Sequence, residues 1–195
     1  NAIFGREDMM RAEIVLREDG ILCGLDLAIA AFKQVNQAIA VNTHEKDGSF
    51  ISAGKPVLTI EGPARDVLAA ERTALNFLTY LSGIASLTGR YVSAVSHTQT
   101  RICCTRKTHA HLRDLQKYAV RMGGGINHRF GLSDAILIKD NHIAAAGSIS
   151  NALKAARKNA GPLLSIGIEV DTLAQLEEVL ENGLAHHVLL DNFDP

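Results

Sequence analysis

The chain lacks a long apolar run, an excess of charge of one sign, and a set of pairable cysteines. No apolar segment is long enough to cross a membrane, and no signal peptide is recognisable near the N-terminus. With 20 Lys and Arg against 21 Asp and Glu, the net charge is −1, which argues against a general nucleic-acid binder. Hydrophobic residues make up 47% and charged residues 21%, so the chain is globular rather than disordered. Any anion site must therefore be a local concentration of cations.

The three cysteines are Cys23, Cys103 and Cys104. Their odd number and the adjacency of two of them do not suit a disulfide framework or a Cys-x-x-Cys metal pair. We expect reduced thiols in the core of a cytoplasmic protein.

The first part of the chain predicts mixed helix and strand. Residues 11–17 partly alternate between apolar and polar, as in a half-buried strand, and residues 56–60 predict another strand. Between them, Leu25–Val35 has apolar residues at helical spacing, with Asp26 in the first turn. We expect a small, mostly antiparallel sheet packed with a helix.

From residue 64 onward the sequence pattern changes from strands to helices. Residues 64–81 and 84–95 predict two helices that are interrupted at Gly83. We expect these helices to link an N-terminal α/β sandwich domain, residues 1–95, to a catalytic domain, residues 96–195.

Strand and helix patterns alternate in the second part, which predicts parallel strands with right-handed crossovers. This alternation fits either an incomplete (β/α) barrel or an open doubly wound sheet. Four strands do not close a barrel, and the chain begins with Asn1 rather than Met, so we expect the sequence to be truncated at both ends. The predicted strands are 101–104, Ala135–Ile138, 164–168 and His187–Leu190, and the predicted helices are 112–122, 148–158 (N-cap Ser148) and Leu173–Asn182.

Each of these predicted strands is followed by ionisable residues, at the end where parallel α/β proteins assemble their active sites. The residues, in chain order, are Arg106 and Lys107, then Lys139, then Glu169, then Asp191. We expect the side chains to gather at one edge of the sheet.

Two other segments have both a functional and a structural interpretation. The glycines at 123–125 allow either a turn or a backbone cradle for an anion, and His128 and Arg129 place two donors beside them. Arg72 lies within a predicted helix, where it serves either a solvated face or a pocket of this chain or of a partner.

Cations outnumber anions in this predicted set. Arg106, Lys107, His128, Arg129 and Lys139 stand against two carboxylates, so a ligand must supply the missing negative charge. Arginine suits carboxylates, lysine suits phosphate, and the two acids suit sugar hydroxyls or a Mg²⁺ that bridges phosphates. The residues therefore predict an enzyme that acts on a small, phosphorylated polyanion.

Several long motifs closely resemble the quinolinate phosphoribosyltransferase family, also called carboxylating nicotinate-nucleotide pyrophosphorylases. They occur in the family's order and cover nearly the whole chain. The motifs are Glu-Arg-Thr-Ala-Leu-Asn (71–76), Leu-Ser-Gly-Ile-Ala (81–85), Thr-Arg-Lys-Thr (105–108), Lys-Tyr-Ala-Val (117–120) leading into the glycines, Asn-His-Arg-Phe-Gly-Leu (127–132), Ile-Leu-Ile-Lys-Asp-Asn-His (136–142) and Leu-Leu-Asp-Asn-Phe (189–193).

The resemblance implies a fold and a reaction. The fold is an N-terminal α/β sandwich packed on an incomplete α/β barrel. The reaction converts quinolinate and phosphoribosyl pyrophosphate to nicotinate mononucleotide, pyrophosphate and CO₂, with Mg²⁺, in NAD biosynthesis. Members form homodimers or larger assemblies whose active sites are completed by a neighbour.

The resemblance also implies roles for single residues. Arg72 matches the arginine that reaches the neighbouring site, while Arg106, His128 and Arg129 match residues that hold the quinolinate carboxylates. The residues matched to phosphoribosyl pyrophosphate and the chemistry are Lys107, Lys139, Glu169 and Asp191, and the last two are the implied Mg²⁺ ligands.

The chain departs from the family pattern at three places. Thr-Arg-Lys-Thr is followed by His109-Ala110-His111 where a Pro-Gly step is usual, Cys104 replaces a common Asp, and Gly167 replaces an acidic residue. The last departure removes a possible second carboxylate near Glu169.

Three alternatives remain open. One is a paralogue on the same scaffold with another substrate, such as the homologues associated with molybdenum transport. Another is an enzyme that uses Lys139 as a Schiff-base nucleophile. The third is a binding protein without catalytic activity.

Overall fold

The computed structural model describes residues 3–5 and 7–194, which divide into two compact units, Asn1–His128 and Arg129–Pro195. Helices and strands are mixed along the chain, so the α/β class is confirmed. The domain boundary expected between residues 95 and 96 stays a prediction. In the described residues, no helix combines the length and the hydropathy that crossing a bilayer requires.

The first unit contains a three-stranded and a two-stranded antiparallel sheet, which confirms the predicted antiparallel pairing. The five strands are β1 Met9–Val15, β2 Gly20–Ile21, β3 Ala40–Thr43, β4 Phe50–Ile51 and β5 Pro56–Pro63. The larger sheet has the order β1-β5-β3, and its central strand, β5, carries a buried run from Val57 to Ile60.

Helix α1 spans Leu25–Val35, with the predicted bounds. Helix α2 spans Ala64–Ala94 without interruption, so the predicted break at Gly83 is wrong. A glycine inside a helix costs about 1 kcal/mol relative to alanine. The buried stripe of α2 continues past it through Leu81 and Ala85, and burial of this stripe outweighs that cost.

Helix α3 spans Arg113–Met122 and ends at the glycines. A Cβ on Gly123 would collide with the Ala85 carbonyl oxygen and would lie 2.7 Å from Thr88 Cβ, both on α2. A Cβ on Gly125 would lie 2.8 Å from Val120 Cγ1. Close packing within the first unit therefore explains why these two positions are glycine.

The predicted strand at residues 101–104 is wrong. A single parallel bridge, Cys103 with Ile126, is all that pairs there among the described residues. Two backbone bonds flank it, from Ile126 N to Ile102 O at 2.9 Å and from Cys104 N to Ile126 O at 3.1 Å. The segment is thus fixed beside residue 126 but is too short and too exposed to form a sheet.

The elements of the second unit are β6 Ala135–Ile138, α4 Asp140–Ala146, α5 Ile149–Asn159, β7 Ser165–Val170, α6 Leu173–Asn182 and β8 His187–Leu190. Its strands form a parallel sheet of order β6-β7-β8, as the alternation predicts. Ile166, Ile168 and Val170 of β7 are fully buried and pack with Leu153 of α5 and Val179 of α6. Helix α4 was not predicted, and it begins directly after Lys139, whose N–H donates to His142 Nδ1 at 3.0 Å. Ser148 caps α5 as expected, since its hydroxyl accepts from Asn151 N.

Replacing Gly123 by alanine should destabilise the protein by about 1–3 kcal/mol, because the new methyl group overpacks the contact with α2. Urea unfolding of the full-length protein measures this change. The matched control is Gly161→Ala in the second unit, where a Cβ would meet nothing within 4 Å, and it should stay within about 0.5 kcal/mol of the parent. Equal unfolding midpoints for the two variants would contradict the packing explanation.

Candidate active site

Lys139 and Glu169 form an ion pair at the carboxyl edge of the second unit's sheet. Lys139 Nζ lies 2.9 Å from Oε1 and 2.8 Å from Oε2 of Glu169. The register pairs Ile138 with Ile168, so residues 139 and 169 come side by side. Glu169 lies within β7 rather than after it, which corrects the predicted strand end.

Strand alternation explains which way this pair faces. Ile168 and Val170 point into the core beneath α5 and α6, so Glu169 points to the opposite face of the sheet. Its side chain is 16% exposed and that of Lys139 is 40% exposed, which leaves the ammonium accessible to a ligand from solvent. The carboxylate thus holds the ammonium in one place while leaving part of it free to bind an anion.

Asp191 lies at the same edge of the sheet. It directly follows β8, is exposed, and its N–H donates to Val170 O at 2.9 Å. Leu189 pairs with Glu169, and alternation puts Asp191 on the same face as Leu189. Lys139, Glu169 and Asp191 therefore lie at one edge of this sheet, as expected, although Glu169 lies within its strand. Arg106 and Lys107 follow no strand, so the strand-end prediction is wrong for these two residues.

Arg129 starts the second unit and is half-buried. Its Nη1 donates to Ala135 O at 2.9 Å, and its buried Nε has no hydrogen-bond partner within the described part of the chain. The loop that follows is fixed by Asp134, whose Oδ2 accepts from Gly131 N at 3.1 Å and Phe130 N at 2.7 Å. These bonds, the one from Gly131 foremost, lower the pKa of the Asp134 carboxyl.

In the first unit, Arg106 and Lys107 are exposed on a tight turn. Lys107 N donates to Thr105 Oγ1 at 3.1 Å, and Thr108 N donates to Arg106 O at 3.0 Å. Both charged side chains therefore extend from a backbone that its own hydrogen bonds hold in shape.

Lys117 is the residue that sequence reasoning missed. It is 1% exposed, and its Nζ donates to His128 O at 2.9 Å and contacts Cys104 Sγ at 3.0 Å. The ammonium thus connects the segment before Arg106 to the exposed His128. Lys117 opens the Lys-Tyr-Ala-Val motif, but the resemblance gave it no role, and a lysine in an amphipathic helix normally lies on the solvent side.

Arg72 is exposed on α2, between the buried Ala70 and Ala74. Because those alanines face the core, Arg72 lies on the opposite side of the helix. Its guanidinium is thus presented to solvent or to another molecule.

The cysteines only partly match their expected burial. Cys23 is fully buried. Burial, and to a smaller extent the charge of the nearby Asp47, raises the pKa of its thiol to about 12. Cys103 is exposed and Cys104 is half-buried, so the expectation of three core thiols is wrong for these two. All three are free.

These features define an α/β protein whose two units each carry cations suited to a small polyanion. The family model of the quinolinate phosphoribosyl transferase N-terminal domain matches residues 1–82, and the model of the C-terminal domain matches residues 84–195. The chain belongs to the quinolinate phosphoribosyl transferase family.

Curated relatives and a solved structure agree with this family. The chain is 44% identical over 194 residues to a probable carboxylating nicotinate-nucleotide pyrophosphorylase of Bacillus subtilis, covering 100% of the chain and 66% of the relative. It is 46% identical over 187 residues to the carboxylating nicotinate-nucleotide pyrophosphorylase of Mycobacterium leprae, covering 95% and 65%. The crystal structure of NadC from Streptococcus pyogenes matches with a TM-score of 0.92 at 42% identity, covering 100% of the chain and 68% of that structure. The chain thus spans about two thirds of the length of these curated relatives.

Proposed function

We propose that the full-length protein transfers the phosphoribosyl group of phosphoribosyl pyrophosphate to quinolinate and releases CO₂, as a step of NAD biosynthesis. One observation carries the proposal beyond family membership. Within residues 3–5 and 7–194, no carboxylate lies within 4.0 Å of Arg106 or Lys107 as an ion-pair partner. Such cations are stabilised by an anionic ligand, and both substrates carry several negative charges.

Quinolinate is the proposed ligand of Arg106, His128 and Arg129. A guanidinium binds a carboxylate through parallel hydrogen bonds, and the buried Nε of Arg129 still has a proton to donate. Its Nη1 is already bonded to Ala135 O, so the guanidinium is oriented before a ligand arrives. Quinolinate carries two carboxylates on one ring, and Arg106, His128 and Arg129 together offer enough donors for both.

Phosphoribosyl pyrophosphate is the proposed ligand of Lys107, Lys139, Glu169 and Asp191. Lysines bind phosphate oxygens, and Glu169 and Asp191 offer oxygens to the ribose hydroxyls. Because Glu169 holds Lys139 with both oxygens, the ammonium is placed before substrate binds. A phosphate can then bind Lys139 without an entropic cost of ordering its side chain.

The residues fit a Mg²⁺ that arrives bound to the diphosphate rather than a resident metal. In the described residues no group of three or more His, Cys, Asp or Glu side chains is arranged to hold an ion. Mg²⁺ in phosphate sites keeps several waters and takes only one or two carboxylates, and Glu169 and Asp191 would supply these. When bound, the ion would neutralise charge on the departing pyrophosphate.

In the proposed reaction the pyridine nitrogen bonds to the anomeric carbon as the bond from that carbon to the pyrophosphate oxygen breaks. Positive charge develops on the ribose, where Glu169 and Asp191 stabilise it, and negative charge develops on pyrophosphate, where Lys107 and Lys139 stabilise it. The alkylated ring then accepts the electron pair of the adjacent carbon–carboxylate bond as CO₂ leaves, and a proton from solvent completes the product. No separate base is needed for this step.

The Schiff-base alternative fits the geometry less well. Such a lysine needs an apolar pocket, whereas Lys139 is 40% exposed and bonded to both oxygens of Glu169. A paralogue with another substrate is disfavoured by the joint presence of Arg106, His128 and Arg129, which suits a dicarboxylate. A non-catalytic binding role would predict ligand binding without turnover.

We also propose a homodimer or larger homo-oligomer in which Arg72 reaches the neighbouring site. Its exposure on the outer side of α2 supports this role. The cytoplasmic location expected from the sequence stays a prediction.

Each substrate should raise the melting temperature of the full-length protein. At a hundredfold excess over its dissociation constant, phosphoribosyl pyrophosphate with Mg²⁺, or quinolinate, should add about 2.7 kcal/mol of stability. Differential scanning fluorimetry measures the shift, with nicotinamide as an uncharged control for quinolinate. The absence of a shift with either substrate would argue against the proposed function.

Replacing Arg106 by alanine should weaken quinolinate binding by about 10- to 150-fold, the loss of one charge-assisted interaction of roughly 1.5–3 kcal/mol. The affinity for phosphoribosyl pyrophosphate should stay unchanged. Calorimetric titration of both ligands measures this, with Arg157→Ala as a control at an exposed arginine in the last turn of α5. Equal weakening of both ligands would show that the division of roles is wrong.

Co-expression of Arg72→Ala and Lys139→Met chains should restore activity that each variant lacks alone. Half of randomly mixed dimers contain one chain of each kind, and each mixed dimer has one intact site of two, so about a quarter of the parent activity should return. Separately purified and unmixed variants are the control. No recovery in verified mixed dimers would place Arg72 in its own chain's site or in none.

A further inference from the structure

Tyr80, His109 and Gln116 form a closed set of hydrogen bonds, which we call the His109 network. His109 N donates to Gln116 Oε1 at 2.9 Å, Gln116 Nε2 donates to the hydroxyl of Tyr80, and that hydroxyl lies 2.7 Å from His109 Nδ1. The phenol and imidazole rings also stack nearly parallel, with their centroids 6.0 Å apart. All three residues belong to the first unit, and the proposed function gives none of them a role.

The His109 network ties a loop to two helices. Tyr80 lies in α2 and Gln116 lies in α3, whereas His109 lies in the loop that precedes α3. In sequence, Tyr80 is 29 residues from His109 and 36 residues from Gln116, so these bonds form only in the folded unit. The packed helices therefore set the position of His109, and bonds that close on one another in this way support each other.

The segment that carries Arg106 and Lys107 is fixed at both of its ends. Before it, Cys104 N donates to Ile126 O at 3.1 Å. After it, the His109 network holds both the backbone N–H and the side chain of His109. The four residues that lie between these two fixed points have few backbone conformations open to them.

Beyond His109 the loop adopts a conformation that a side chain disfavours. His111 has a φ of 62°, in the left-handed region. A residue with a Cβ enters that region at a cost in free energy, so contacts outside the residue must hold it there. Leu112 N donates to His109 O at 3.3 Å and closes this turn onto the residue that the network holds. Loss of the network should therefore loosen residues 105–112 together.

We propose that the His109 network positions Arg106 and Lys107 for substrate binding. The identity of the ligands rests on the proposed function, in which Arg106 binds quinolinate and Lys107 binds phosphoribosyl pyrophosphate. Both cations extend from one short segment, so loosening that segment should weaken the binding of both substrates. Removal of Arg106 alone, in contrast, should weaken only quinolinate.

Tyr80→Phe tests the proposal, because it removes the hydroxyl and keeps the ring that stacks on His109. The affinities of the full-length protein for quinolinate and for phosphoribosyl pyrophosphate with Mg²⁺ should each fall about 3- to 10-fold, the loss expected from one or two neutral hydrogen bonds. Amide hydrogen exchange in peptides that cover residues 105–112 should become faster. Calorimetric titration and exchange mass spectrometry measure the two effects.

Tyr118→Phe is the matched control. The Tyr118 hydroxyl donates to Asp47 Oδ2 at 2.9 Å, so this variant also removes a tyrosine hydroxyl bond from the first unit, but one outside the His109 network. It should lower the melting temperature about as much as Tyr80→Phe does. Both substrate affinities, and the exchange of residues 105–112, should match those of the parent protein.

Two variants of His109 separate positioning from general stability. His109→Phe keeps a ring to stack on Tyr80 but has no group to bond its hydroxyl, so it should weaken both substrates as Tyr80→Phe does. His109→Asn places an amide near the position of Nδ1 and should keep most of the parent affinity. Because His109 is exposed, these variants also decide the question if Tyr80→Phe fails to fold.

Unchanged affinity for either substrate in Tyr80→Phe would overturn the proposal, and so would an equal loss of affinity in Tyr118→Phe. A parent protein that binds neither substrate would instead contradict the proposed function. Hydrogen exchange then still decides what the network does: faster exchange of residues 105–112 in Tyr80→Phe supports its hold on the loop, and unchanged exchange overturns it.

Discussion

The parallel register of β6, β7 and β8 is the constraint on which the candidate site depends. It places residue 139 beside residue 169, and the pairing of Leu189 with Glu169 brings Asp191 to the same edge. A slip of one residue in β7 would turn Glu169 into the core and expose Ile168. The buried isoleucines of the sheet therefore fix the register, and through it they fix the position of the ion pair between Lys139 and Glu169.

In the first unit a buried lysine, rather than a sheet register, fixes the charged segments. Lys117 joins the segment that leads to Arg106 to His128. In both units one cation is held by protein groups, and in the first unit Arg106 and Lys107 have no carboxylate within 4.0 Å among the described residues. This division between held and available positive charge is what suits the proposed pair of substrates, since each brings several negative charges.

Regular, local patterns were predictable from the sequence. The bounds of α1, α6, β6 and β8 follow from periodicity and from caps such as Gly183. The continuous α2 was missed because packing along its whole length outweighs the cost of Gly83. A short stretch of sequence around Gly83 does not show this packing. From the sequence alone, the glycines at 123 and 125 suit an anion cradle as well as a turn. Only the structure shows that Thr88 and Val120 pack too closely for a side chain at these positions. Lys117 was missed for the same reason, because its burial depends on segments distant in sequence.

Isotope-labelled turnover tests the proposed chemistry most directly. The full-length protein is incubated with phosphoribosyl pyrophosphate, Mg²⁺ and quinolinate labelled with ¹³C in the carboxylate next to the ring nitrogen. Nicotinate mononucleotide, pyrophosphate and labelled CO₂ should form in equal amounts. A nucleotide that keeps the label, or pyrophosphate release without any pyridine nucleotide, would contradict the reaction assigned to these residues.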